Sequence, residues 1–336
     1  SLNKFMFLII ICIIFITNIV LTIMKILFII IVIYVIMIKE EVFMAQTLAS
    51  DILVAPKIIT FYLDKGGGGK TSGIYNFNGY VGDIKNKRVL TFDGDRSQNL
   101  TKTYGVQGSR GIYDIFVNDE FEIYHTSQKN VDVIIGSEKF CDYNINWGDY
   151  QNTFMVLYSW ITRNLKFLAK EYDYITIDAH NDTTDVTANL LAVADVVVAV
   201  GNADANSFAA WEELNELFLP RIKKKAADAL TKVSYVHAEP YLIANRIPFK
   251  GNNVANTVKE FLEVIQRKYG DKFLGVIPER DTVIRSLLEN KSVFELYQEM
   301  PESTLTQSKR KASEKKFVDG MASIFDKIIE NADMID

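Results

Sequence analysis

The chain predicts a three-layer α/β fold: a mainly parallel β-sheet with helices on both faces. Two observations carry this. From residue 45 onward, short Val/Ile-rich runs alternate with helical patterns, the signature of strands joined by crossover helices. Several of those runs are apolar at consecutive positions, as strands buried on both faces are. No internal repeat, low-complexity linker or Pro/Gly-rich hinge interrupts the alternation, so residues 44–336 are expected to form a single domain ending in a helix.

In chain order, the run KIITFYL gives a strand at 57–63, and a helix at 71–81 follows its glycine-rich exit. RVLTF gives a strand at 88–92 and VDVIIG another at 131–136. A helix at 153–170 leads to the strand YITID at 174–178, then a helix at 184–194 to the strand DVVVAV at 195–200. Helices at 208–225 and 253–269 flank a strand at 241–245; a strand at 273–277 and a helix at 309–329 close the pattern.

Composition narrows the function classes. The 336 residues carry a formal net charge of −5 and 24% charged side chains, so nonspecific nucleic-acid binding needs a local basic patch. The two cysteines, Cys12 and Cys141, lie far apart and outside any CxxC spacing. No disulfide framework, zinc site or iron–sulfur site is indicated, and a reducing cytoplasm fits.

Residues 1–43 are a different material. The run over 5–38 is almost continuously apolar, broken by Thr17, Asn18, Thr22 and Lys25, and exceeds the roughly 20 residues that cross a bilayer. A membrane anchor is one reading. A signal peptide is a poor one, because the run is too long and no small-residue cleavage site follows. A third reading is favoured here. The segment lacks Gly, Ala, Pro and Arg, whose codons are rich in G and C, and the chain starts at Ser1. Lys39–Met44 also back-translates to a purine-rich ribosome-binding sequence before a start codon. The segment is expected to be translated upstream DNA, with the start at Met44, or at Met37 if only 1–36 are upstream.

The strongest chemical signal is the strand at 57–63 running into Asp64-Lys65-Gly66-Gly67-Gly68-Gly69-Lys70-Thr71-Ser72. Four glycines let the backbone close around phosphate oxygens with its N–H groups inward, and the next helix adds its positive N-terminus. Lys70 supplies a point charge for β- and γ-phosphates, and the Thr71 hydroxyl is a hard oxygen ligand suited to Mg²⁺. A strict GxxxxGK[ST] is not met, since its first position is Asp64, and a dinucleotide fingerprint would put its third glycine at Thr71.

Lys65–Thr71 resembles the deviant Walker A motif of the ParA/MinD family of ATPases, and with it the P-loop NTPase fold. The resemblance implies that Gly66, Gly67, Gly68, Gly69, Lys70, Thr71 and Ser72 hold ATP. It also implies that Lys65 reaches the partner's nucleotide across an ATP-bound homodimer. The segment Asp93-Gly94-Asp95-Arg96-Ser97-Gln98-Asn99 is similar to the family's D-x-D-P-Q-G-N, with the Pro-Gln-Gly part altered. It implies that Asp95 orients the attacking water and that Asp93 faces the metal. Asp178, at the end of Tyr174–Asp178, matches the aspartate that holds Mg²⁺. His180 follows where the family commonly has a proline-containing switch, and is expected to be a switch or surface residue. Asn245 matches an asparagine near the adenine, and Pro278 a nucleotide-base loop.

Within the family, ParA-like partition ATPases bind DNA nonspecifically as ATP dimers and are stimulated by a small centromere-binding protein. The resemblance therefore implies plasmid partition in the cytoplasm, at the nucleoid. Lys309, Arg310, Lys311, Lys315 and Lys316 form the DNA-contact candidate, with Arg221 and Lys223–Lys225 a second patch. Two alternatives stand beside this reading. One is a MinD-like membrane-positioning ATPase, but its C-terminal helix should end basic and this tail is acidic. Membrane contact is then expected only if residues 1–36 are genuine. The other is a nucleotide-dependent DNA scaffold with negligible hydrolysis.

Overall fold

The computed structural model describes residues 54–150, 152–250 and 253–335, together with scattered positions between 24 and 39. The chain divides into two units, Ser1–Val54 and Ala55–Asp336. In the first, the described positions between 24 and 39 are helical and exposed; the expectations for residues 1–43 fall largely outside the described residues. Among the described residues no helix is long and apolar enough to cross a membrane.

The second unit is built on one eight-stranded sheet. Its strands are β1 (Lys57–Phe61), β2 (Val89–Gly94), β3 (Tyr124–His125), β4 (Val131–Ile134), β5 (Tyr174–Ala179), β6 (Val196–Gly201), β7 (Glu239–Ile247) and β10 (Phe273–Pro278). Strands β8 (Phe249–Lys250) and β9 (Asn253–Val254) form a separate hairpin. The sheet order is β10-β7-β6-β1-β5-β2-β4-β3, parallel throughout except for the β3–β4 edge pair. Strand β1 sits between β5 and β6, and every residue of β2, β5 and β6 is buried. That burial accounts for the unbroken apolar runs, since both faces are covered by helices.

One face carries α1 (Lys70–Gly79), α2 (Asn99–Thr103), α10 (Val293–Gln298) and α11 (Leu305–Asp333). Phe77 of α1 meets Phe61 at 5.6 Å and Phe325 at 5.3 Å between ring centroids, which locks α1 between the sheet and α11. The opposite face carries α3 (Ile112–Asn118), α4 (Val156–Glu171), α5 (Asp185–Ala192), α6 (Ala205–Glu213), α7 (Leu219–Lys225) and α8 (Asn256–Tyr269). There Trp160 packs edge-on against Phe92. Helix α9 (Asp281–Leu288) precedes α10.

The α11 stripe of Phe317, Met321, Ile324, Phe325 and Ile328 is buried in the core. It packs onto the sheet and offers no apolar face to a membrane.

All seven expected strands are present. The helical expectations differ at their ends: the 253–269 helix starts at Asn256, after strand β9, and the 309–329 helix runs over Leu305–Asp333. The 71–81 helix starts at Lys70, ends at Gly79, and continues as a π-turn over Tyr80–Ile84. The 208–225 helix is α6 and α7 joined through a π-turn, with Pro220 in the first turn of α7.

Candidate nucleotide site

The loop between β1 and α1 closes because its glycines do what no other residue could. Gly69 sits at φ +91°, and a Cβ there would fall 2.3 Å from Asn245 Nδ2. At Gly68 a Cβ would fall 2.3 Å from the Val200 carbonyl oxygen. The loop is therefore pressed onto the ends of β6 and β7. Asn245 Nδ2 donates to Gly68 O at 2.8 Å and Arg246 Nη1 to Gly67 O at 3.0 Å, fixing the carbonyls outward. Below it, buried Asn76 ties α1 to two neighbours: its Nδ2 donates to Ser286 Oγ at 3.1 Å, and its Oδ1 accepts from Val293 N at 2.8 Å.

Lys70, the first residue of α1, is buried with its Nζ 3.4 Å from Leu63 O. Desolvation lowers its pKa, while Asp178, Asp95 and Asp64 pull the other way. The next residue, Thr71, donates from Oγ1 to Asp178 Oδ2 at 2.8 Å. Asp178 is wholly buried, and its Oδ1 has no hydrogen-bond partner. Burial, with the nearby Asp93 charge, raises its pKa to about 7 against the opposing pull of Lys70 and Thr71. A desolvated carboxylate with one unused oxygen beside a threonine hydroxyl fits a hard divalent cation. Among the described residues no three His, Cys, Asp or Glu side chains are grouped to hold a metal alone. A threonine–aspartate pair is the kind of small oxygen donor set that Mg²⁺ takes.

Lys70 and Thr71 open onto a cleft of about 640 Å³, with Asp178 bonded to Thr71 behind it; its lining includes Gly66–Ser72, Asp95, Asn99, Asn181, Arg246 and Leu287–Leu288. Its size is within the roughly 300–1,000 Å³ of small-molecule sites. Asp95 reaches it from beyond β2. Burial would raise the Asp95 pKa, but hydrogen bonds from His180 and Ser97 outweigh it and hold it at about 2. His180 is raised in return, chiefly by the same contact with Asp95.

Several expected residues sit elsewhere than their motif implied. Asp93 does not line the cleft: Oδ2 accepts from Thr101 N at 2.8 Å and Oγ1 at 2.6 Å, and Oδ1 from Asp95 N at 3.2 Å. Its lone pairs anchor α2, so Asp93 organises the loop that carries Asp95. Asn245 braces the phosphate loop itself. Pro278 lies at the end of β10, registered with Ile247, and is not among the residues lining the cleft. Lys65 forms an ion pair with Asp204 Oδ1 at 2.5 Å, and the same carboxylate caps α6 through Ser207 N.

Of the basic patch at the start of α11, Lys309, Arg310, Lys315 and Lys316 are exposed. Lys311 is paired with Glu302 at 2.8 Å and Lys315 with Asp319 at 2.6 Å. In the second patch Lys223 pairs with Glu239, Arg221 donates to Thr183 O, and Lys225 lies over the Phe154 ring.

Sequence reasoning missed three contacts: Arg246 on the loop, Asp204 on Lys65, and His180 on Asp95. Arg246 follows Asn245 directly and was legible as a neighbour. Asp204 and Ser207 spell a helix cap, but nothing local points the cap at Lys65.

Comparison with known proteins extends the picture. The model of the family described as "AAA domain" matches residues 56–233. The chain is 24% identical over 249 residues to the virulence plasmid ParA family protein pGP5-D of Chlamydia trachomatis, covering 71% of this chain and 86% of that one. It is 32% identical over 148 residues to the sporulation initiation inhibitor protein Soj of Bacillus subtilis, covering 42% of this chain and 56% of that one. Among solved structures, a Borrelia burgdorferi protein assigned to plasmid partition and bound to AMPPNP superposes with a TM-score of 0.54 at 24% identity. That likeness covers 78% of this chain and 98% of the other, and shows the fold.

Proposed function

Because the chain belongs to the AAA-domain family, as a ParA/MinD-type P-loop ATPase, we propose that it hydrolyses ATP and uses the ATP-bound homodimer to partition DNA, most simply a plasmid. The observation that carries the reading is the pair of lysines on one glycine loop. Lys70 is buried toward the phosphate position, while Lys65 is held at the rim, where only a second molecule's nucleotide needs it.

Each side chain then has a task. The backbone of Gly66–Gly69 and the N-terminus of α1 take the phosphates, and Lys70 neutralises the β- and γ-oxygens. Ser72 donates to Gly69 O at 2.9 Å and tightens the loop's last turn. Thr71 and Asp178 are the residues that would hold Mg²⁺, which would neutralise charge developing on the phosphate oxygens. Asp95 orients the attacking water at the cleft's open side. Lys65 must leave Asp204 to act in trans, so dimerisation and release of that ion pair are one event.

The partner classes follow from the same reading: nonspecific duplex DNA, and a small centromere-binding protein that supplies sequence specificity. The site of action is the cytoplasm, at the nucleoid. Lys309, Arg310 and Lys316 are the cations best placed for DNA, because they are exposed and have no ion pair among the described residues. Lys311 and Lys315 are partly neutralised by Glu302 and Asp319.

The test is plasmid-duplex binding by fluorescence anisotropy across a salt series, with ATP and Mg²⁺ present. Reversing Lys309, Arg310 and Lys316 to Glu should weaken binding by at least about tenfold and reduce the salt slope by about 3. Unchanged affinity and slope would remove this patch from the reading. ATP turnover stimulated by liposomes and indifferent to DNA would replace partition by membrane positioning.

A further inference from the structure

His180 leaves the sheet one residue beyond β5, two residues after Asp178, on the edge that carries the phosphate loop. Its Nδ1 lies 3.0 Å from Asp95 Oδ1. An ionised carboxylate only accepts hydrogen bonds, so Nδ1 carries the proton and donates. Ser97 N donates to the same oxygen at 2.8 Å. Two donors from separate segments, His180 and the Ser97 backbone, thus converge on Oδ1, and the Ser97 hydroxyl adds to the hydrogen bonding of the carboxylate. The imidazole is itself firmly mounted. Tyr62 Oη donates to Asp182 O at 2.8 Å and Arg221 Nη2 to Thr183 O at 3.2 Å, pinning the segment that follows it.

We propose that His180 is a positioning residue for ATP hydrolysis: its hydrogen bond to Oδ1 holds the Asp95 carboxylate so that Oδ2 faces the attacking water. This rests on the hydrolytic reading above and adds to it a residue outside the phosphate loop. The terminal torsion of an aspartate is broad and roughly two-fold, so donors from Ser97 alone, on the carboxylate's own turn, let the carboxylate move with that turn. A donor from another segment removes that freedom. Hydrolysis of this kind depends mainly on placement and charge neutralisation. The water oxygen bonds to the γ-phosphorus, the bond to the β–γ bridging oxygen breaks, that oxygen leaves on ADP, and the water's protons pass to phosphate and solvent. No step needs His180 to take a proton. Its Nε2 is 3.9 Å from Asp182 Oδ2, too long for a hydrogen bond, so no relay runs through the ring. A proline at this place would have no side-chain donor.

The experiment compares the full chain with His180→Ala, His180→Asn, Asp95→Ala and the Asp95→Ala/His180→Ala double variant. Steady-state ATP hydrolysis with Mg²⁺ gives kcat and KM. Binding of a fluorescent ATP analogue and the thermal unfolding midpoint check the site and the fold. His180→Ala should lower kcat by about 10–100-fold, as loss of a supporting hydrogen bond does. Its KM and analogue affinity should stay within about twofold. His180→Asn, whose amide can stand in for Nδ1–H, should recover most of the rate. The double variant should be no slower than Asp95→Ala, because His180 acts only through that carboxylate.

An unaltered kcat in His180→Ala would overturn the inference while leaving the hydrolytic reading in place. So would losses that multiply in the double variant, or a folded His180→Asn no faster than His180→Ala. A wild-type chain that binds the analogue but turns over no ATP, with or without DNA, would overturn the hydrolytic reading and this inference with it.

Discussion

Replacing Asp178 by Asn should stabilise the nucleotide-free protein at alkaline pH while removing its response to Mg²⁺. The wild-type carboxyl is wholly buried, donated to by Thr71 alone, with Oδ1 unpartnered. Its pKa rises from the usual 3.8 to about 7, first through burial and then through Asp93. Between those two values the folded chain binds more protons than the unfolded one, so stability falls as pH rises. At about 1.4 kcal/mol per pH unit, holding this group ionised costs about 4 kcal/mol once pH exceeds 7. About 2.5 kcal/mol of that is expressed between pH 5 and pH 8. An asparagine cannot ionise, so the variant should not lose that share. Its own amide is left without an acceptor, at a pH-independent cost of about 1–3 kcal/mol. Urea unfolding of both proteins at pH 5 and pH 8, free of nucleotide and metal, reads the difference between the two pH profiles. Profiles that run parallel would refute the reasoning. Adding ADP and Mg²⁺ should then raise wild-type stability at pH 8 and leave the variant nearly unmoved, by ligand linkage.

Other expectations follow from single contacts. Gly69→Ala must place a Cβ at φ +91° and 2.3 Å from Asn245 Nδ2, so the phosphate loop shifts off β7. Affinity for a fluorescent ATP analogue should fall at least about tenfold, through strain of about 1–3 kcal/mol, with the fold kept. Asn76→Ala leaves Val293 N without its acceptor in the core, while Ser286 Oγ keeps its bond to Val283 O. It should cost about 1–3 kcal/mol in urea unfolding, from the one buried donor left unsatisfied.

Much of the fold was legible because the sheet is covered on both sides. β2, β5 and β6 are buried at every position, and a fully buried strand writes itself as a run such as VVVAV. What escaped was short or at an edge. Strand β3 is two residues long, and its partner β4 already had its parallel neighbour β2. Helices α2, α3 and α10 are too brief for a helical period to stand out, and α9 spans only about two turns.

The site was legible as a list and less so as a geometry. Lys70, Thr71 and Asp95 line one cleft with Asp178 bonded to Thr71 behind it, because β1, β2 and β5 end at one sheet edge. The motif could not say which of Asp93 and Asp95 would turn into the cleft. Thr101, a turn away on α2, holds Asp93 by giving both of its donors, N–H and O–H, to Oδ2. The pairings of Lys65 with Asp204 and His180 with Asp95 join residues 139 and 85 positions apart, and no local pattern encodes them.

The central claim is that Lys65 acts across a dimer, and light scattering of wild type and Lys65→Ala with ATP and Mg²⁺ tests it most directly. Lys65→Ala should bind the ATP analogue normally, remain monomeric where the wild type dimerises, and lose at least about 100-fold in hydrolysis, as removing a cation supplied in trans does. Lys70→Ala, in contrast, should lose nucleotide binding itself. A Lys65→Ala chain that dimerises on ATP and hydrolyses it at the wild-type rate would contradict the account.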